Sequence, residues 1–157
     1  MGPLYGYALM FEGSNEAVAP DSPGAVRIEG LILDGDAVPL AWPEGYIEVW
    51  EGEQMARGRT DENGRYSVVV RKPQPPATPD GLPQAPHLNV AVFARGLLKQ
   101  VVTRVYFPDE ATANAADPVL ELVPPEDREL LVAVPDDGVL RFDIRLQGDR
   151  ETPFFAF

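Results

Sequence analysis

The sequence contains no cysteine, one histidine (His87) and only two lysines, Lys72 and Lys99. Without cysteine there is no disulfide, no thiolate nucleophile and no thiolate metal site, a composition that fits a reducing compartment. One imidazole rules out any site built on several histidines. No apolar run approaches the ~20 residues a membrane-spanning helix needs. The N-terminus carries no charged region followed by an apolar one, so no export signal is visible. Gly2 could begin a myristoylation motif, but the sixth residue is Gly6 where that motif needs Ser or Thr. Positive charge is scarce overall: the formal net charge is −12 and the isoelectric point about 4.4. Such a surface repels phosphate backbones, which argues against a nucleic-acid partner. These absences together lead to the expectation of a soluble, cytoplasmic protein with no membrane partner.

What the sequence does have is punctuation. Seventeen prolines and fourteen glycines break 157 residues into short segments, a pattern of turns rather than long helices. That length suits one domain, residues 1–157, with a sizeable core. Val26, Ile28 and Ile32 fall on one side of "VRIEGLIL", and Arg27 and Glu29 on the other, so the segment reads as a half-buried strand. Asp34-Gly35 is a turn. "YIEVW" places Ile47 and Val49 on one face. "GRTDENGRYSVVV" reads as a hairpin, with positive φ angles at Asn63-Gly64. Lys72 to Pro86 holds too many prolines for regular structure, and a loop that long is usually functional or disordered. "HLNVAVFA" and "QVVTRVYF" are strands. "PDEATANAADP" predicts a short helix with acidic residues at its start, and "PPEDRELLVAV" a second one opened by Pro125. "LRFDIRL" alternates, with Phe142, Ile144 and Leu146 inward and Arg141, Asp143 and Arg145 outward. "PFFAF" is a last strand or packed tail. The expected fold is all-β: an antiparallel β-sandwich of about seven strands, with short helices and long loops.

Candidate chemistry is sparse. "LDGDAVP" lacks the later acidic positions of a calcium loop. None of Ser14, Ser22 and Ser67 sits in a nucleophile elbow that could use His87. There is no glycine-rich phosphate cradle, and spacing singles out no carboxylate pair. Taken alone, the chain has no convincing catalytic constellation. His87 opens an apolar strand, and Asn89 takes the next position on the same face. Arg95 lies just past that strand, before Gly96, where side chains project into sites or simply into solvent. Arg104, inside an apolar strand, is expected to pair with a carboxylate in or near the core. Arg141 and Arg145 read as a polar face.

Two long stretches, "APHLNVAVFARGLLKQVVTRVYFPDEATANAADPVL" and "LRFDIRLQGDRETPFFAF", resemble the intradiol ring-cleaving dioxygenases, in particular the α chains of their heteromeric members. "GPLYGYAL", "IEGLILDGD", "EVW", "ENGRY" and "KP" extend the resemblance over nearly the whole chain. The resemblance implies a β-sandwich and an obligate heteromer of paired α and β chains in a higher oligomer. It implies that the β chain holds Fe(III) through two tyrosines and two histidines. It also implies a small aromatic substrate, protocatechuate, cleaved with O₂ to 3-carboxy-cis,cis-muconate in the β-ketoadipate pathway.

Carried over residue by residue, the iron ligands are mostly missing. The segment after "EVW" is "EGEQMARGR", without a tyrosine. The second tyrosine's loop is "KPQPPATP", with Pro75 or Pro76 at its position. His87 matches the first histidine and Asn89 replaces the second. A ferric site needs anionic ligands, so this chain is expected to bind no metal. The resemblance assigns substrate contacts to Gly2, Pro3 and Arg95, and an interface to an N-terminal arm over residues 1–24. A guanidinium can pair with the substrate carboxylate. The leading expectation is therefore a non-catalytic α subunit that completes the active-site cleft. The alternatives are a transthyretin-like binding module derived from the family, and a self-sufficient dioxygenase with a new iron site.

Overall fold

The computed structural model describes residues 9–156. Among them nine strands form two packed sheets. In chain order they are β1 (Ala25–Leu33), β2 (Gly45–Glu51), β3 (Gln54–Arg59), β4 (Arg65–Arg71), β5 (His87–Ala94), β6 (Val101–Tyr106), β7 (Val134–Asp136), β8 (Val139–Arg141) and β9 (Ile144–Arg145). One sheet runs β4-β1-β8-β7, with β9 also on β1; the other runs β3-β2-β5-β6. A short helix, α1 (Ala111–Ala115), lies between β6 and β7.

Alternation builds the sandwich. Ile28 and Ile32 of β1, Val68 and Val70 of β4, Ile47 and Val49 of β2, and Leu88, Val90 and Val92 of β5 are all at most 2% exposed and pack into one core. Successive strand residues point to opposite faces, so each strand contributes every second side chain. Each large apolar side chain fully buried this way stabilises by roughly 1.5–3 kcal/mol. A second cluster, Tyr106, Leu120, Val123, Leu131 and Ala85, covers the outer face of the second sheet at the His87 end.

The sandwich is less uniformly antiparallel than its sequence suggests. β8 and β9 run parallel to β1. They are two halves of "LRFDIRL", interrupted where Phe142 donates its N–H to Glu29 and the Asp143 carboxylate accepts the N–H of Leu31 at 2.9 Å. Asp143 thus replaces a ladder bond instead of pointing idly outward. Phe142 and Ile144 are buried as expected.

The Asn63-Gly64 turn is also not a hairpin within one sheet. β3 belongs to one sheet and β4 to the other, so the turn carries the chain between layers. Asp61 closes it, its carboxylate accepting the N–H groups of Asn63 and Arg65 at 2.8 and 3.0 Å. Of the two central residues, only Gly64 has positive φ, +76°. A Cβ there would lie 2.5 Å from that of Pro39, so glycine is required twice over.

The loop at 72–86 is irregular except for a bridge between Ala77 and Pro83. The expected first helix is a 3-10 turn, Pro108–Glu110, followed by α1. Asp109 and Glu110 both bind Lys72 Nζ, at 2.6 and 2.7 Å, which pins this turn to the end of β4. The expected second helix is only a 3-10 turn, Arg128–Leu131. The C-terminal tail packs as foreseen, with Phe155 donating its N–H to Val102.

Residues 14–17 of the N-terminal arm lie along the free edge of β4. Val69 donates to Asn15 and accepts from Ala17, each at 2.8 Å, while Arg57 on β3 donates its N–H to Ser14 at 2.6 Å. The arm therefore laces β3 to β4 across the sandwich edge.

Candidate functional site

Because Leu88 and Val90 face the core, His87 and Asn89 must face outward from the second sheet. Strand register sets their neighbours: His87 lies opposite Tyr106, Asn89 opposite Arg104 on one side and Trp50 on the other. The outward face is nonetheless covered here, since the second cluster packs over it. His87 is 1% exposed.

His87 Nδ1 lies 2.9 Å from the carbonyl of Ala85. A carbonyl only accepts, so Nδ1 carries the proton and Nε2 keeps its lone pair in the neutral ring. Nε2 points toward Glu51 Oε2 at 3.8 Å, too far for a hydrogen bond. Burial, reinforced by the Arg104 cation, holds the imidazole below its ordinary pKa. Asn89 donates Nδ2–H to the same Glu51 oxygen at 2.8 Å. Glu51 ends β2, one residue past the Trp50–Asn89 pair. Sequence reading missed it, because only the β2–β5 register brings it to this face.

Beside this trio runs a buried polar chain. Arg104, 9% exposed, donates to Gln84 Oε1 at 2.7 Å and approaches the Tyr106 hydroxyl at 3.4 Å. Tyr106 in turn donates to Asp117 Oδ1 at 3.1 Å, its hydroxyl pushed well above the ordinary tyrosine pKa by burial. Arg104 was expected to pair directly with a carboxylate. Instead Gln84 and Tyr106 receive its hydrogen bonds, and Asp117 supplies the negative charge one side chain further on. Arg104 also stacks 5.8 Å from the centroid of Phe155.

This donor set does not fit a ferric ion. It offers one imidazole, one carboxylate and an amide already donating to that carboxylate. Among the described residues no three His, Cys, Asp or Glu side chains gather closely enough to hold a metal. Fe(III) calls for several anionic oxygen donors; near His87 the Tyr106 hydroxyl and the Asp117 carboxylate are bonded to each other and Asp117 also to backbone N–H groups, which leaves Glu51.

Arg95 sits at the opposite end of β5. Its N–H bonds the Glu44 carbonyl at 2.8 Å, and its guanidinium pairs with the Glu44 carboxylate at 2.7 Å. The side chain is 72% exposed. The structure therefore does not bring Arg95 together with His87 and Asn89. Gly2 and Pro3 lie outside the described residues. No helix among the described residues is long and apolar enough to cross a membrane.

No family model matches the chain. Solved structures with a similar fold include intradiol dioxygenases. The dioxygenase domain of a carbohydrate-binding fusion protein from Streptomyces sp. SirexAA-E superposes with a TM-score of 0.62 at 19% identity, over 85% of this chain and 87% of that one. Catechol 1,2-dioxygenase from Acinetobacter sp. ADP1 gives 0.56 at 18% identity, over 83% and 55%. These likenesses define the fold class as the intradiol dioxygenase β-sandwich. Sequence relatives narrow it. The protocatechuate 3,4-dioxygenase alpha chain of Burkholderia cepacia is 52% identical, with 96% of this chain and 87% of the relative covered. That of Pseudomonas putida is 36% identical, over 91% and 82%. The chain belongs to the intradiol dioxygenase family, as one of the alpha chains of protocatechuate 3,4-dioxygenase.

Proposed function

We propose that this chain is the iron-free half of a protocatechuate 3,4-dioxygenase active site. A partner β chain would hold Fe(III), and this chain would close the cleft and help to bind the carboxylate of protocatechuate. The assembled enzyme would insert both atoms of O₂ while breaking one ring carbon–carbon bond, giving 3-carboxy-cis,cis-muconate. The reading places the complex in the cytoplasm. Its main support is the kinship to alpha chains along almost the entire sequence. The donor set around His87 agrees with it, because one imidazole beside an amide and one carboxylate would leave the iron to another chain.

Within this reading Arg95 contributes to substrate recognition. Its guanidinium stands clear of the sheet, and the Glu44 contact holds it in one direction. A planar guanidinium matches a carboxylate through two parallel hydrogen bonds. In the assembled enzyme, Arg95→Gln should lower kcat/KM for protocatechuate about 10- to 100-fold, the loss of one charge-assisted pair. Catechol, which lacks the carboxylate, should be little affected. Equal losses on the two substrates would remove Arg95 from recognition while leaving subunit identity untouched.

A further inference from the structure

A cleft of about 580 Å³ opens where the N-terminal arm meets β3 and β4. Small-molecule sites typically have volumes of this order. Three guanidiniums line it, from Arg57, Arg59 and Arg65, and Met10 and Phe11 form part of its wall. Phe11 is 69% exposed. In a chain of net charge −12, residues 57–65 place three arginines beside two acids, Asp61 and Glu62.

The three are not equivalent. Arg57 is committed: it binds Glu48 at 2.6 Å and the Leu9 carbonyl at 3.0 Å. Arg65 reaches Glu29 only at 3.6 Å and is largely exposed. Among the described residues Arg59 has no carboxylate partner, and its guanidinium carbon sits 5.8 Å from the Trp42 ring centroid. Two carboxylates also line the cleft, Glu12 and Asp61. Asp61 is tied to the turn by the backbone N–H groups of Asn63 and Arg65. With Arg57 neutralised by Glu48, the wall holds two cations, Arg59 and Arg65, against two carboxylates, and the least neutralised cation, Arg59, is held over an aromatic face.

We propose that this cleft binds a small organic carboxylate with an apolar body, its carboxylate on Arg59 and Arg65 and its body against Met10 and Phe11. The guanidiniums supply planar, charge-assisted hydrogen bonds, and stacking on Trp42 keeps Arg59 oriented without neutralising it. The site is separate from Arg95, which does not line the cleft.

The test is calorimetric titration of the full chain with benzoate, and with benzyl alcohol as a neutral counterpart of similar shape. Benzoate should bind one to one, more weakly as salt rises, and benzyl alcohol should not. Arg59→Gln and, separately, Arg65→Gln should each weaken benzoate about tenfold, with thermal midpoints unchanged because both side chains are exposed. Failure of benzoate to bind, equal binding of benzyl alcohol, or undiminished binding by both variants would overturn the proposal. So would a result in which benzoate is ignored while Arg59→Gln weakens association with a β chain, which would make the cleft a protein contact.

Discussion

Asp117 is 1% exposed and accepts four hydrogen bonds. Three come from the backbone N–H groups of Ala85, Val119 and Leu120, and one from the Tyr106 hydroxyl. One carboxylate therefore ties the end of the proline-rich loop to the turn after α1 and to the floor beneath His87. Removing it leaves buried donors unpaired, which costs more than the bonds themselves contribute. Asp117→Ala should destabilise the chain by about 2–4 kcal/mol in urea unfolding, and Asp117→Asn, which keeps an acceptor in place, by clearly less. His87 supports a pH test. Its folded pKa lies below the ordinary histidine value of about 6.5. Between the folded pKa and 6.5 the unfolded chain binds the extra proton, so stability rises with pH through that window and levels off above 6.5. Urea midpoints should fall between pH 7.5 and 5.5, and His87→Gln should fall less; equal slopes would refute the assignment. At this scale the sequence showed His87 and Asn89 as a same-face pair, but not Glu51 or Asp117. Those two reach the site only through strand register and chain return. The Asp-Pro step at Asp117, ahead of "VLEL", was the one local sign of a capping carboxylate.

Between elements, the tightest crossing is at Gly30. A Cβ there would lie 1.8 Å from the Phe142 carbonyl oxygen and 2.9 Å from the Tyr66 hydroxyl. Tyr66 donates to that same carbonyl, so the strand cannot simply step aside. Gly30→Ala should cost about 3 kcal/mol or more, because the clash is with backbone rather than a movable side chain; a thermal midpoint near that of the wild type would show that β8 and β9 can slide. The strands themselves were readable from alternation, and β5 matches its sequence limits. Their partners were not. A period of two says which side chains are buried but not the direction of the neighbouring strand, so the parallel pairing of β8 and β9 with β1 stayed hidden. The same limit made Asn63-Gly64 look like a hairpin when the turn crosses between sheets.

For the molecule as a whole, division of labour is the main feature. The face that carries His87 is closed by the segment between β6 and β7, and most of its polar groups pair with one another through Glu51, Gln84, Tyr106 and Asp117, although Arg104 Nε is buried without a hydrogen-bond partner among the described residues. Arg95 and the arginine cleft lie elsewhere, near the surface. Under the proposed function, a chain built this way would present groups to a site whose iron another chain holds. The most direct test measures iron and ring cleavage for three preparations: this chain alone, the β chain with it, and the β chain with an Asn89→His, Glu51→Gln form. The account expects no stoichiometric iron and no cleavage for the chain alone, and iron with protocatechuate cleavage once the β chain is present. The double variant should leave the iron content of the complex unchanged. Stoichiometric iron and turnover in the purified chain alone would contradict it.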